Sequence, residues 1–226
     1  MNSVIIVSAG SGKRMNLGMN KQFIKLKEKE IVAHTISKFY ENKNIEEIIL
    51  CIKEEEELQV REILTKFGFE DVIIAYGGAE RQDSINSGLK KVSDESDIIL
   101  IHDGARPFVD DDIIERSIRE CKEHLAVVVG VPVSDTIKIV NEGVIEDTPD
   151  RSLLWSAQTP QVFDSSLLKQ AYKSAYEDGF YGTDDSMLVE RTGVKVHMSL
   201  GSYDNIKITN IEDLTTAEKI AEKQGL

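Results

Sequence analysis

Near the start of the chain, "VIIVSAGSGKRMN" at 4–16 sets Gly10 and Gly12 directly after an apolar run and follows them with Arg14 and, further on, Lys21. Glycines in such a loop let the backbone approach a phosphate closely and turn N–H groups toward it, while the two cations add fixed positive charge. The loop completes neither of the common nucleotide fingerprints. A dinucleotide motif counted from Gly10 meets Met15 where its third glycine belongs, and a Walker loop fails at Val7 and at Arg14, where Ser or Thr should follow Gly-Lys. The reading is a phosphate cradle of unspecified kind, against the plainer one of a tight turn with solvated cations.

Two later segments carry further chemistry. In "GGAERQDSINSGLKK" at 77–91, a helix beginning near Glu80 places Arg81, Ser84 and Gly88 along one face and Ile85, Leu89 and Val92 along the adjacent buried one. Gly77 and Gly78 could let backbone groups read a flat ligand such as a base, with Ser84 supplying a hydroxyl. "HDGARP" at 102–107 sets Asp103 and Arg106 just past a continuous apolar strand. An aspartate there suits Mg²⁺, which takes one or two carboxylates plus substrate phosphates, and Arg106 could grip an anion. His102 has no partner histidine at metal spacing and reads as structural. Arg151 and the segments "DTIK" (135–138), "QTPQ" (158–161), "GTDD" (182–185) and "NIKIT" (205–209) are weak individually; Thr183 alone passes for a helix N-cap and Lys207 for an outward strand residue.

The elements that must position these groups follow from the apolar rhythm. Runs at 3–9, 47–52, 71–76, 97–102 and 125–133 alternate with helical patterns near 30–41, 55–66, 81–92 and 110–123. Such alternation predicts an α/β fold, a mainly parallel sheet covered on both faces, with ligands beyond the carboxyl ends of its strands. The rhythm breaks after residue 133, where a hairpin turning at 141–143 and extended chain predict an arm at about 134–157 projecting from a single domain spanning 1–226. A two-stranded arm is marginal alone, so a second subunit is its natural partner. Helices at 164–178, 184–191 and 211–223, the last with Thr209 and Glu212 as its capping box, and strands at 194–200 and 205–209 complete the expectation.

Forty acidic against 27 basic residues give a net charge of -13, which disfavours a nucleic-acid surface. An anionic ligand must then meet a local cluster of cations. Cys51 and Cys121 lack Cys-x-x-Cys spacing and read as buried free thiols, and no apolar run reaches a membrane span or a signal peptide. A cytoplasmic protein is expected.

The motifs "SAGSGKRM", "NKQF", "GGAERQDSINSGL", "HDGARPFV", "PVSDTIK", "RSLLWSAQTPQVF", "TDDSMLVE" and "NIKIT", in this order over essentially the whole chain, resemble the 2-C-methyl-D-erythritol 4-phosphate cytidylyltransferases. The resemblance implies a Rossmann-like sheet of nucleotidyltransferase type and transfer of CMP from CTP to a polyol phosphate, with release of pyrophosphate. It implies that Ala9, Gly10 and Gly12 wrap the triphosphate, that Arg14 and Lys21 neutralise it, and that Gly77, Gly78 and Ser84 surround the cytidine. Asp103 would sit beside Mg²⁺. Arg106, Thr159, Thr183 and Lys207 would hold the methylerythritol phosphate, with Thr136 and Arg151 reaching the site from the partner in a homodimer. Two positions depart from the family: Asn20, where members usually have Pro, loosens the turn presenting Lys21, and Gly104, usually Ala, removes a methyl beside Asp103. Ribitol-5-phosphate cytidylyltransferase, a sugar-1-phosphate nucleotidyltransferase and a non-catalytic nucleotide-binding module are the rival readings.

Overall fold

The computed structural model describes residues 1–10 and 21–225. Its first half alternates strand and helix: β1 (Asn2–Val7), a small pair β2 (Lys25–Leu26) and β3 (Lys29–Glu30), α1 (Ile31–Tyr40), β4 (Glu47–Ile52), α2 (Glu57–Phe67), β5 (Ile73–Tyr76), α3 (Arg81–Leu89) and β6 (Ile98–Asp103). There follow α4 (Asp111–His124), β7 (Ala126–Pro132), β8 (Ile139–Asn141), β9 (Val144–Asp147), β10 (Trp155–Asp164), α5 (Ser165–Glu177), α6 (Asp185–Glu190), β11 (His197–Leu200) and α7 (Ile211–Gln224). Seven strands form one sheet in the order β11-β7-β10-β6-β1-β4-β5. All neighbours are parallel except β10, which runs antiparallel to both β6 and β7. The mainly parallel α/β sheet expected from the apolar rhythm is thus present.

Alternate residues of the central strands feed opposite faces, as the pleat requires. Val4, Ile6, Leu50 and Leu100 pack beneath α1, α2 and α4, whereas Ile5, Ile49, Ile99 and Ile101 pack beneath α3, α5 and α6. Burial on both sides explains why these strands read as unbroken apolar runs. A third, smaller cluster joins Leu26, Ile31 and Phe108 to Ile208 and to Ala217 and Ile220 of α7. It ties the chain around Lys207 to the body of the domain, and the Ile208 amide also donates to the carbonyl of Ala105 at 2.9 Å.

Strands β8 and β9 pair only with each other, turning through Glu142 (φ 48°) and Gly143 (φ 82°), the positive values that a tight two-residue hairpin turn demands. Apolar Ile139, Val140, Val144 and Ile145 are all exposed on this hairpin. Two local expectations fail. The cap of α7 is Asn210 with Asp213, one residue beyond the expected pair, because the Asn210 side chain accepts from the Asp213 amide at 2.9 Å while Asp213 accepts from the Asn210 and Thr209 amides. Residues 205–209 form no strand, since their partners are side chains and loop carbonyls rather than a sheet edge.

Helix α3 lies against the sheet at Gly88, where an added Cβ would stand 2.8 Å from Ile5 Cγ2 and 2.9 Å from Cys51 Sγ, both in wholly buried strands. Gly88→Ala gains up to ~1 kcal/mol of helix propensity but forces rigid core atoms apart, and overpacking of this kind costs ~1–3 kcal/mol. Urea unfolding is expected to show net destabilisation with an unchanged m-value.

Candidate active site

Parallel pairing sets the end of β6 beside the end of β1, with Val7 in register with Asp103. Here the sheet order reverses, since β4 and β5 lie on one side of β1 and β6 on the other. Open α/β sheets hold their ligands at such a point, beyond the carboxyl ends of the strands. A cleft of about 630 Å³ lies there, and its lining includes Ala9, Gly10, Gly77, Gly78, Asp103 and Lys207.

Its far wall is the turn between β5 and α3. The Gly77 amide donates to the Ile52 carbonyl at 2.7 Å, and a Cβ at Gly77 would come within 2.8 Å of Ser84 Oγ, so only glycine fits. Buried Ser84 accepts from the Gly78 amide and donates to the Glu80 carbonyl, both at 3.1 Å. Its hydroxyl therefore shapes the glycine turn from beneath, a role that the spacing of Arg81, Ser84 and Gly88 did not convey.

On the floor, Asp103 gathers three cations. Lys207 Nζ is 2.8 Å and Arg106 Nε 3.5 Å from Oδ2, and Arg81 Nε is 3.7 Å from Oδ1. Burial alone pushes this carboxyl toward neutrality, but the charges of Lys207, Arg81 and Arg106 outweigh it and hold the group well below the usual carboxylate range. Three guanidinium or ammonium groups around one ionised carboxylate leave surplus positive charge in a protein whose net charge is -13. This is the local cation cluster that an anionic ligand requires.

A polar frame fixes the cluster. Asp103 receives a backbone-to-side-chain bond, its amide donating to Thr159 Oγ1 at 3.0 Å. Arg106 is largely buried and donates from Nη1 to the Asn205 carbonyl at 2.8 Å, while Asn205 Nδ2 donates to the Thr159 carbonyl at 2.9 Å. Burial lowers His102 to about 4, keeping it neutral, and its Nε2 donates to the Arg106 carbonyl at 3.0 Å. His102 is thus structural, as its isolation in the sequence suggested. Asn205 and Gln161 escaped the sequence reading because an amide in a polar segment carries no spacing signal.

Gly104 is explained by its neighbour, for a methyl there would collide with the Oγ of buried Ser8. The serine hydroxyl occupies the space that the family's usual alanine would need. Thr183 is exposed at the edge of α6 and its neighbour Asp184 is the helix cap, accepting from the Met187 amide at 3.0 Å. Thr136 and Arg151 are exposed on the arm, Arg151 donating to the Ser134 carbonyl at 2.8 Å, and neither lines this chain's own cleft. Gly12, Arg14 and Asn20 lie outside the described residues, as does the side chain of Lys21.

Among the described residues, no group of three or more His, Cys, Asp or Glu side chains is placed to hold a metal ion. Asp103 therefore fits a hard dication only as a single carboxylate ligand, with phosphate oxygens completing the shell, which is the usual mode for Mg²⁺ on nucleotides. The flanking cations argue the same way, since they repel a bare dication but welcome one that arrives with a polyanion.

The family described as IspD, 2-C-methyl-D-erythritol 4-phosphate cytidylyltransferase, matches residues 2–223. A protein of that name from Clostridioides difficile (strain 630) is 64% identical over 97% of this chain and 93% of its own length. One from Alkaliphilus oremlandii (strain OhILAs) is 49% identical over 96% and 94%. The solved structure of 4-diphosphocytidyl-2C-methyl-D-erythritol synthase from Anaerococcus prevotii DSM 20548 superposes with a TM-score of 0.88 at 33% identity, covering 98% of this chain and 96% of that one. With matches of this extent in sequence and in fold, the chain belongs to the 2-C-methyl-D-erythritol 4-phosphate cytidylyltransferase family.

Proposed function

We propose that the chain transfers CMP from CTP to 2-C-methyl-D-erythritol 4-phosphate, giving 4-diphosphocytidyl-2-C-methyl-D-erythritol and pyrophosphate. One observation carries the reading from geometry: Asp103, Lys207, Arg81 and Arg106 meet on the floor of a glycine-walled cleft at the sheet's switch point. Family membership supplies the substrates and sets this acceptor above ribitol 5-phosphate.

The acceptor's phosphate oxygen attacks the α-phosphorus and pyrophosphate leaves. A phosphate monoester has a second pKa near ~6 and is largely dianionic at neutral pH, so no general base is required. What the protein must supply is alignment of two anions and neutral surroundings for the charge they share. Gly10, Gly77 and Gly78 present backbone at close range for the nucleotide. Lys207, on its segment anchored through Ile208, is the most accessible of the cations on Asp103, with 37% of its side chain exposed against 12% for Arg106. It is the group best placed to meet the acceptor phosphate, whereas Arg106 serves chiefly as a fixed positive charge in the wall. Arg14 and Lys21 are assigned to the triphosphate from the resemblance alone. Mg²⁺, held by Asp103 together with phosphate oxygens, would screen the triphosphate and polarise the α-phosphate.

A homodimer completes the reading. The hairpin and its base expose Ile139, Val140, Val144, Ile145, Leu153 and Trp155, and Arg151 stands among them away from its own cleft. A partner that covers this apolar arm would receive Thr136 and Arg151 at its site. The cytoplasm suits two buried free thiols, and no helix among the described residues is long and apolar enough to cross a membrane.

Pyrophosphate release, assayed with each of the four ribonucleoside triphosphates and with methylerythritol phosphate or ribitol 5-phosphate, is expected only for CTP with methylerythritol phosphate. Turnover with ribitol 5-phosphate instead would move the acceptor assignment, and silence with every pair would refute the catalytic reading. Lys207→Ala and Arg151→Ala are each expected to lose on the order of 10²-fold or more in kcat/KM while remaining folded. Mixed and allowed to exchange subunits, the two should recover up to about a quarter of wild-type activity, because half the dimers then carry one intact site. No recovery after verified exchange would place Arg151 in its own chain's site.

A further inference from the structure

Arg81 differs from the other two cations on Asp103 in being held from behind. Its Nη2 donates to Asp185 Oδ2 at 2.8 Å, whereas its Nε stops 3.7 Å from Asp103 Oδ1, outside hydrogen-bond reach. Asp185 is itself locked. Its side chain is 1% exposed, its Oδ1 accepts from the hydroxyl of buried Tyr172 at 2.5 Å, and its amide donates to Gln161 Oε1 at 3.2 Å. Gln161 Oε1 also accepts from the Ser186 amide at 3.0 Å, so the first turn of α6 is pinned to β10. Asp185 touches no open part of the cleft lining, and the reaction as described gives it no task.

An unrestrained guanidinium beside a buried carboxylate closes to a charge-assisted bond of about 2.7–2.9 Å. Arg81 would then occupy the Asp103 oxygen that Lys207 and Arg106 do not favour, and a divalent cation would have to displace it. We propose that Asp185 is a positioning residue for metal-dependent nucleotide binding: by holding Arg81 off Asp103, it keeps Asp103 Oδ1 open to the divalent cation that accompanies the nucleoside triphosphate. Asp185 also offsets one of the three cations, so its loss would leave the floor more repulsive to a dication and more attractive to a bare polyanion. The inference rests on the CTP reading and on Asp103 as the metal-facing carboxylate.

The readout is the ratio of CTP affinities measured by calorimetry with and without Mn²⁺, in the absence of any acceptor. In Asp185→Asn this ratio is expected to fall about 10-fold or more, the usual scale for outer partners of a metal ligand, while metal-free CTP binds as well as before or better. A general loss of structure would weaken both. Arg81→Gln combined with Asp185→Asn removes the competing cation with its anchor and is expected to restore the ratio to the wild-type value or above. An unchanged ratio in Asp185→Asn, or a double variant as impaired as the single, overturns the inference. If the single variant fails to fold by circular dichroism, the double variant decides alone, since a ratio below wild type contradicts the competition between Arg81 and the metal. Absence of CTP binding by the wild-type protein would instead overturn the nucleotide reading beneath it.

Discussion

Everything at this site depends on keeping Asp103 ionised in a nearly dry position. Burial would favour the neutral acid, and only the joint field of Lys207, Arg81 and Arg106 reverses that preference. Each of those cations must in turn be held, because a buried charge without its partners is expensive. The second rank of interactions follows from this need: Asn205 takes Arg106, Asp185 takes Arg81, and Ile208 seats the strand-like segment that carries Lys207. The result is a floor with spare positive charge in a protein that is strongly acidic as a whole.

The sheet supplies the coordinates for this arrangement. Register fixes Val7 beside Asp103, so the loop after β1 and the carboxylate at the end of β6 converge whatever the loops contain. Antiparallel β10 brings Thr159 and Gln161 to the same end of the sheet from the opposite chain direction, and its register shifts between Ala157 and Gln161, where the Thr159-Pro160 peptide is cis. Thr159 then bonds the Asp103 amide, and Gln161 bonds the start of α6. Gly77 closes the far wall because no side chain fits between Ala9 and Ser84.

Much of this was legible in the residues. Unbroken apolar runs such as "DIILIH" report strands buried on both faces, and the polar tripeptides after them report the carboxyl ends where ligands sit. Asp103, Lys207 and the glycines were therefore visible as candidates. The supporting layer was not, because Asp185, Tyr172, Gln161 and Asn205 act through contacts between residues far apart in the chain, for which a single sequence has no period. Ser84 was read as a hydroxyl for the ligand, whereas it bonds Gly78 and Glu80 within its own turn. The cap of α7 slipped by one residue since Thr209, Asn210, Glu212 and Asp213 offer two overlapping capping pairs, and only backbone geometry chooses between them. Gly104 appeared as a loss of packing until Ser8 was seen to fill the same space.

The central claim is that a carboxylate ringed by cations accepts a dication only in company with a polyanion. An anomalous-difference map of crystals grown with CTP and Mn²⁺, collected beside crystals grown with Mn²⁺ alone, tests it most directly. The account predicts a peak about 2.1–2.2 Å from Asp103 that is present with CTP and absent without it. A peak at Asp103 without nucleotide, or a metal carried by the phosphates with Asp103 still closed on Lys207, would contradict it.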